Sequence, residues 1–186
     1  MQTSDPIRSE LGAGEQLLWS GQPRQGLLLR GADALQIPFS VLWAGFAVFW
    51  LVTAERSGAP LPFVLFGAPF VLMGVYIVAG RFFVDSAQRQ KTFYAVTPQR
   101  IIIVSGLAVR KVRSLSLKTI SELSIAERPD GTGTLTFGPQ PSSPFGAFGG
   151  LSSWPGAGRF QGPRFELVPQ ARNVYEMVRK AQAAAS

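Results

Sequence analysis

The chain has 186 residues, a formal net charge of +7, and neither cysteine nor histidine. The missing cysteines exclude disulfides and thiol chemistry, and the missing histidines remove the commonest general base and the commonest metal ligand. This length accommodates one ordinary domain beside a pair of membrane-length helices.

The first residues, "MQTSDPIRSELGAG", lack the charged and apolar regions of a cleavable signal, so the first apolar run is expected to target the chain itself. Two such runs follow, "IPFSVLWAGFAVFWLVTA" at 37–54 and "LPFVLFGAPFVLMGVYIVAG" at 61–80. No charge occurs between Asp33 and Glu55 or between Arg56 and Arg81. About 20 apolar residues suffice to cross a bilayer core. Each run gains on the order of 3 to 6 kcal/mol on insertion, before Pro and Gly are counted. Neither run shows a polar stripe at helical spacing, so a soluble fold would have to enclose both on all sides. The expectation is a transmembrane helical hairpin over 36–84, with "ERSGAP" as its far-side turn. Gly67 and Gly74, seven apart, suit a small-residue seam against the first helix. Only Arg56 lies near that turn, whereas Arg8, Arg24, Arg30, Arg81, Arg89 and Lys91 flank the outer ends. The positive-inside rule then puts both termini, including the segment 1–35, on the cytoplasmic side.

From 85 to 186 the periodicity is that of short strands. "KTFYAVTPQRIIIVSG" reads as two strands about a turn at "TPQR", where Pro98 fixes φ and Ile101 to Val104 supply β-branched residues. A third strand is expected over Val109–Leu117, a fourth over Ile120–Ala126 and another at 134–137 after the "RPDGTG" turn. Pro169 then opens an amphipathic helix at 169–184 with Ala171, Val174, Val178 and Ala181 on one face. Such a helix is suited to capping an open side of the sheet.

The segments "FYAVTPQRIIIVSG", "RSLSLKTISELSI", "GTGTLTFG" and "FELVPQARNVYEMVRKAQ", with "GEQLLWSGQP" ahead of the hairpin, resemble bacterial pleckstrin-homology-like domains of small membrane proteins. The resemblance runs from about Glu15 to Gln182, with Tyr94, Thr97, Arg100, Gly106, Ile120, Gly133, Gly138, Val174 and Tyr175 at matching places. It implies an α+β membrane protein: a helical hairpin plus a seven-stranded antiparallel β-barrel or bent sheet closed by the C-terminal helix. It also implies no enzymatic activity.

Two groups of residues stand out as candidate contacts. Arg110, Lys111, Arg113 and Lys118 cluster along one expected strand and its exit. They read either as a solvated basic face or as a contact for anionic headgroups or an acidic protein. The stretch from Gly138 to Pro163 is rich in Gly and Pro and carries Phe145, Phe148, Trp154 and Phe160. It reads as a loop folded back on the domain, an interfacial anchor, or a lid for a partner. No carboxylate pair, metal-ligand cluster or activated serine emerges, so neither catalysis, metal nor cofactor is expected. Nucleic acid is not expected either, since neither a groove-filling basic helix nor base-stacking aromatics among the charges occur. The expected role is a membrane-anchored interaction or assembly module contacting the bilayer, a protein partner or anionic lipid. The rival is a homo-oligomeric pore or transporter-associated subunit packed through Gly45, Gly67 and Gly74.

Overall fold

A computed structural model describes residues 5–29, 33–139 and 162–185. These form two units, one made of 5–26, 86–139 and 162–185, the other of 27–29 and 33–85.

The first unit holds seven strands in two antiparallel sheets. The four-stranded sheet runs in the order β1 (Trp19–Gly21), β2 (Phe93–Val96), β3 (Arg100–Ser105), β4 (Lys111–Ser116). The three-stranded sheet runs β5 (Leu123–Glu127), β6 (Gly133–Phe137), β7 (Arg164–Val168). Between β2 and β3 the Thr97 hydroxyl oxygen accepts from the backbone N–H groups of Gln99 and Arg100, fixing the turn expected at "TPQR".

β3 reads as an unbroken apolar run because both of its faces are covered. Ile101 and Ile103, with Tyr94 and Val96, face a core shared with Leu135, Phe137, Phe165 and Val168. Ile102 and Val104, with Ala95, face the other way and are covered by Ile7, Leu11 and Leu17 from the N-terminal segment. That segment includes the short helix α1 (Asp5–Arg8). It is fastened at Glu15, whose carboxylate accepts from Arg100 Nε at 2.9 Å and Nη2 at 2.6 Å, from the Thr97 hydroxyl at 2.8 Å and from the Gly12 N–H. The paired Arg100 guanidinium holds the Glu15 carboxyl down at about 2.

The expected closed barrel is not formed: the two sheets remain separate, because after β4 the chain turns through a short 3₁₀ segment, Leu117–Thr119, and buries Leu117 and Ile120 in the core. This turn also delays the expected fourth strand to Leu123, and the loop 106–110 delays the third to Lys111. A bulge in β7 helps join the sheets at the opposite side. Gly133 pairs with Val168 but Leu135 with Phe165, so Leu167 takes a left-handed φ of 51°. The Leu167 carbonyl thereby accepts from Arg24 N–H at 2.8 Å, and the Glu166 N–H donates to the Tyr94 hydroxyl. Burial and, after it, the Glu166 carboxylate push the Tyr94 phenol well above its ordinary range, and its ring stacks on Phe165.

The C-terminal helix α5 (Ala171–Ala185) covers the remaining gap with the four residues expected, Ala171, Val174, Val178 and Ala181. Gly133 is needed beneath it, since a Cβ there would lie 2.6 Å from that of Ala171.

The second unit is a helical hairpin of α2 (Asp33–Arg56) and α3 (Leu61–Val75). α3 runs through a π-helical turn (Tyr76–Gly80) into α4 (Arg81–Gln90), in which the unit boundary falls. The connection is the expected "ERSGAP": Gly58 takes φ 73°, and Pro60 and Pro62 flank the first residue of α3, where no intrahelical donor is lost. Small residues line the seam. Ser40, Ala47 and Ala54 are buried on α2, and Gly67 and Gly74 on α3. A Cβ on Gly74 would come within 3.0 Å of Ala44 Cα, so only glycine lets the helices approach this closely. At the open end an Arg81–Asp33 ion pair at 3.0 Å, with both side chains buried, joins the start of α4 to the start of α2.

Replacing Glu15 by Gln removes charge-assisted bonds to Arg100 and is expected to cost about 2 kcal/mol at neutral pH. The folded pKa lies below the ordinary 4.5, so the wild-type advantage is complete above about pH 4.5 and fades as pH falls toward 2. Thermal unfolding of both chains in detergent across that window should show the two curves converging. A constant gap would refute the assignment.

Candidate interaction site

β4 is an edge strand: among the described residues it pairs with β3 on one side and with no strand on the other. Three of the four sequence-selected basic residues meet at its start. Lys111 and Arg113, two apart, project from one face of the strand and are exposed. Arg110 precedes them and, though half exposed, turns back on the chain: its Nη2 donates to the Pro6 carbonyl at 2.9 Å, the Ser9 hydroxyl at 3.1 Å and Glu10 at 2.7 Å. Arg110 thus pins the N-terminal segment across the outer face of the sheet. Lys118 does not join the group. It sits in the 3₁₀ segment beyond the far end of β4, roughly 20 Å along the chain at strand rise. Phe145, Phe148, Trp154 and Phe160 lie outside the described residues.

The loop leading into β4 carries no motif that marks it as a site, although "SGLAVRKVR" interleaves apolar and basic residues. Gly106 takes φ 133°, and a Cβ on it would lie 1.9 Å from the Val109 carbonyl oxygen, so the loop closes tightly on a glycine. The Leu107 and Val109 side chains project into solvent, 41% and 68% exposed. Lys91 Nζ donates to the Leu107 carbonyl at 3.3 Å from the connection between α4 and β2.

A second group missed by the sequence reading binds the chain segments that leave and re-enter the four-stranded sheet. The buried Arg89 guanidinium donates to the carbonyls of Arg24 at 2.5 Å and Gly26 at 2.7 Å, while Gln25 and Gln22 donate to the Arg89 and Gln90 carbonyls. A buried guanidinium needs several acceptors, and backbone carbonyls supply them here. Its partners are more than 60 residues away, so no local pattern could have disclosed them.

The family model for the bacterial PH domain matches residues 35–182, most of the chain. The chain belongs to the bacterial PH domain family. This bacterial PH protein is also similar to an uncharacterized 23.7 kDa protein in the puhA 5′ region of Rhodobacter capsulatus, 26% identical over 96% of this chain and 84% of the relative. No solved structure matches it. The family is one of PH-like domains, typically non-catalytic, which suggests an interaction module. Among the described residues no group of three or more acidic side chains is placed to hold a metal ion.

Gly106→Ala is expected to destabilise the bacterial PH domain strongly, by about 3 kcal/mol or more, because the new methyl group meets the Val109 carbonyl. Gly131→Ala, also at positive φ but with no atom within 4 Å, should cost only about 1 kcal/mol. Denaturant melts of the two variants give the comparison, and equal losses would contradict the tight-loop geometry.

Proposed function

We propose that this protein is a non-catalytic interaction module of the bacterial inner membrane, held at the cytoplasmic face by a hairpin that crosses the bilayer. One observation carries the reading. The hairpin is packed inside out relative to a soluble core, with Gly, Ala and Ser between the helices and Phe39, Leu42, Phe46, Phe49, Phe66 and Leu72 facing outward. Its helices are long and apolar enough to cross a membrane, and only 17% and 11% of their apolar windows are buried. Core helices of a soluble protein would be mostly enclosed, and exposed apolar surface on this scale calls for lipid or a partner. The flanking Arg and Lys residues favour cytoplasmic ends.

Tethering makes weak contacts sufficient, because a module confined near the bilayer meets membrane partners at high effective concentration. The contacts proposed are a protein partner or anionic headgroups at Lys111 and Arg113, with Arg110 contributing the part of its guanidinium not turned to Glu10. The rival pore reading loses two of its packing residues, since Gly67 and Gly74 are already occupied against α2 within one hairpin. Gly45 alone faces outward.

The full chain is expected to stay in the membrane pellet after a carbonate wash. In native mass spectrometry from detergent it should appear as a monomer or hetero-complex. Release into the supernatant would defeat the membrane reading, and a discrete ring of four or more copies would favour the pore.

A further inference from the structure

We propose that the loop between β3 and β4 is a wedge for an anionic bilayer surface, with Leu107 and Val109 entering the headgroup region. The inference rests on the membrane reading above and extends it to residues outside the basic cluster. Strand register supplies the argument. Gly21 pairs with Tyr94, Phe93 with Val104, and Ser105 with Lys111. The exit of β1, the entry of β2, the exit of β3 and the entry of β4 therefore all lie at one end of the four-stranded sheet. The first two are the points where the chain departs for the apolar hairpin and returns from it. Only Lys91 and Thr92 separate α4 from β2.

At that same sheet end the two apolar side chains stand exposed, and the loop is held by Gly106 and by Lys91 on the Leu107 carbonyl. Lys91, Lys111 and Arg113 are exposed cations beside it, as is Arg110, which is paired with Glu10. The nearby carboxylate of Glu10 is already paired with Arg110. An apolar tip ringed by cations complements an anionic leaflet, whose surface potential attracts the ring while the tip sheds water. A protein groove would accept the same side chains, but it would not account for their sharing the sheet end at which the chain leaves for the hairpin.

The absence of cysteine from the chain permits a direct test. Single-cysteine variants Val109→Cys and Leu107→Cys of the full-length protein carry an environment-sensitive fluorophore in nanodiscs containing phosphatidylglycerol. Ser121→Cys, at the opposite end of the sheet, is the reference. Expected are blue-shifted emission at 107 and 109 and severalfold stronger quenching by nitroxide-bearing lipids than at 121. The quenching should diminish when Lys111→Gln and Arg113→Gln are added or when the lipid is purely zwitterionic. A label at 109 as wet as one at 121, in protein that a carbonate wash leaves in the membrane, overturns the wedge while sparing the membrane reading. A dry label that lipid quenchers do not reach overturns it in favour of a protein occupant. Protein released by the wash overturns both.

Discussion

The β2–β3 pair is apolar on both faces, and the first unit is organised by the need to cover them. Ile101 and Ile103 are covered by the three-stranded sheet and α5, all of which come later in the chain. Ile102 and Val104 are covered by Ile7, Leu11 and Leu17, which come earlier. A sheet buried on one side only would leave a row of β-branched side chains in water. The domain is complete, therefore, only when residues on both sides of the hairpin in sequence have come together. Arg100 and Arg110 secure the earlier segment by ion pairs to Glu15 and Glu10, one toward each end of the covered face.

That arrangement explains which parts of the fold were legible. The two apolar runs, the β2–β3 turn and the buried face of α5 each carry a local signal, of length, turn chemistry or period, and they form a helical pair, a turn and a capping face. β1 has three residues, too few for periodicity, and belongs to the sheet only through β2. β7 contains a bulge with Leu167 in left-handed backbone, so alternation along it is broken. Closure failed as an expectation for a similar reason. The 3₁₀ turn at Leu117–Thr119 separates β4 from β5, yet "LKT" resembles the end of a strand.

Legibility of the candidate site divides in the same way. Lys111 and Arg113 share a face because a strand places alternate residues on one side. The surroundings of Arg110, which bonds to Glu10, 100 residues earlier, and of Lys118, beyond the other end of the strand, are not written in local sequence. Leu107 and Val109 were invisible as a site because exposed apolar residues are ordinary singly. They gain meaning only from the register that sets them at the sheet end from which the chain leaves for the hairpin.

A connection of about 70 residues between two adjacent strands carries a closure cost that grows with the logarithm of its length, if the connection is flexible. Within the second unit the path is fixed by helix packing. Two antiparallel helices packed through Ala44 and Gly74 bring their open ends together, and the Arg81–Asp33 ion pair holds them at 3.0 Å. Within the first unit, Arg89 of α4 ties the returning chain to the departing one through the Arg24 and Gly26 carbonyls. An antiparallel helical hairpin is thus an insertion that neighbouring antiparallel strands can accept, since both leave their two ends on the same side. The polarity of the inserted surface then governs its solvent, while the pairing of β1 with β2 is left undisturbed.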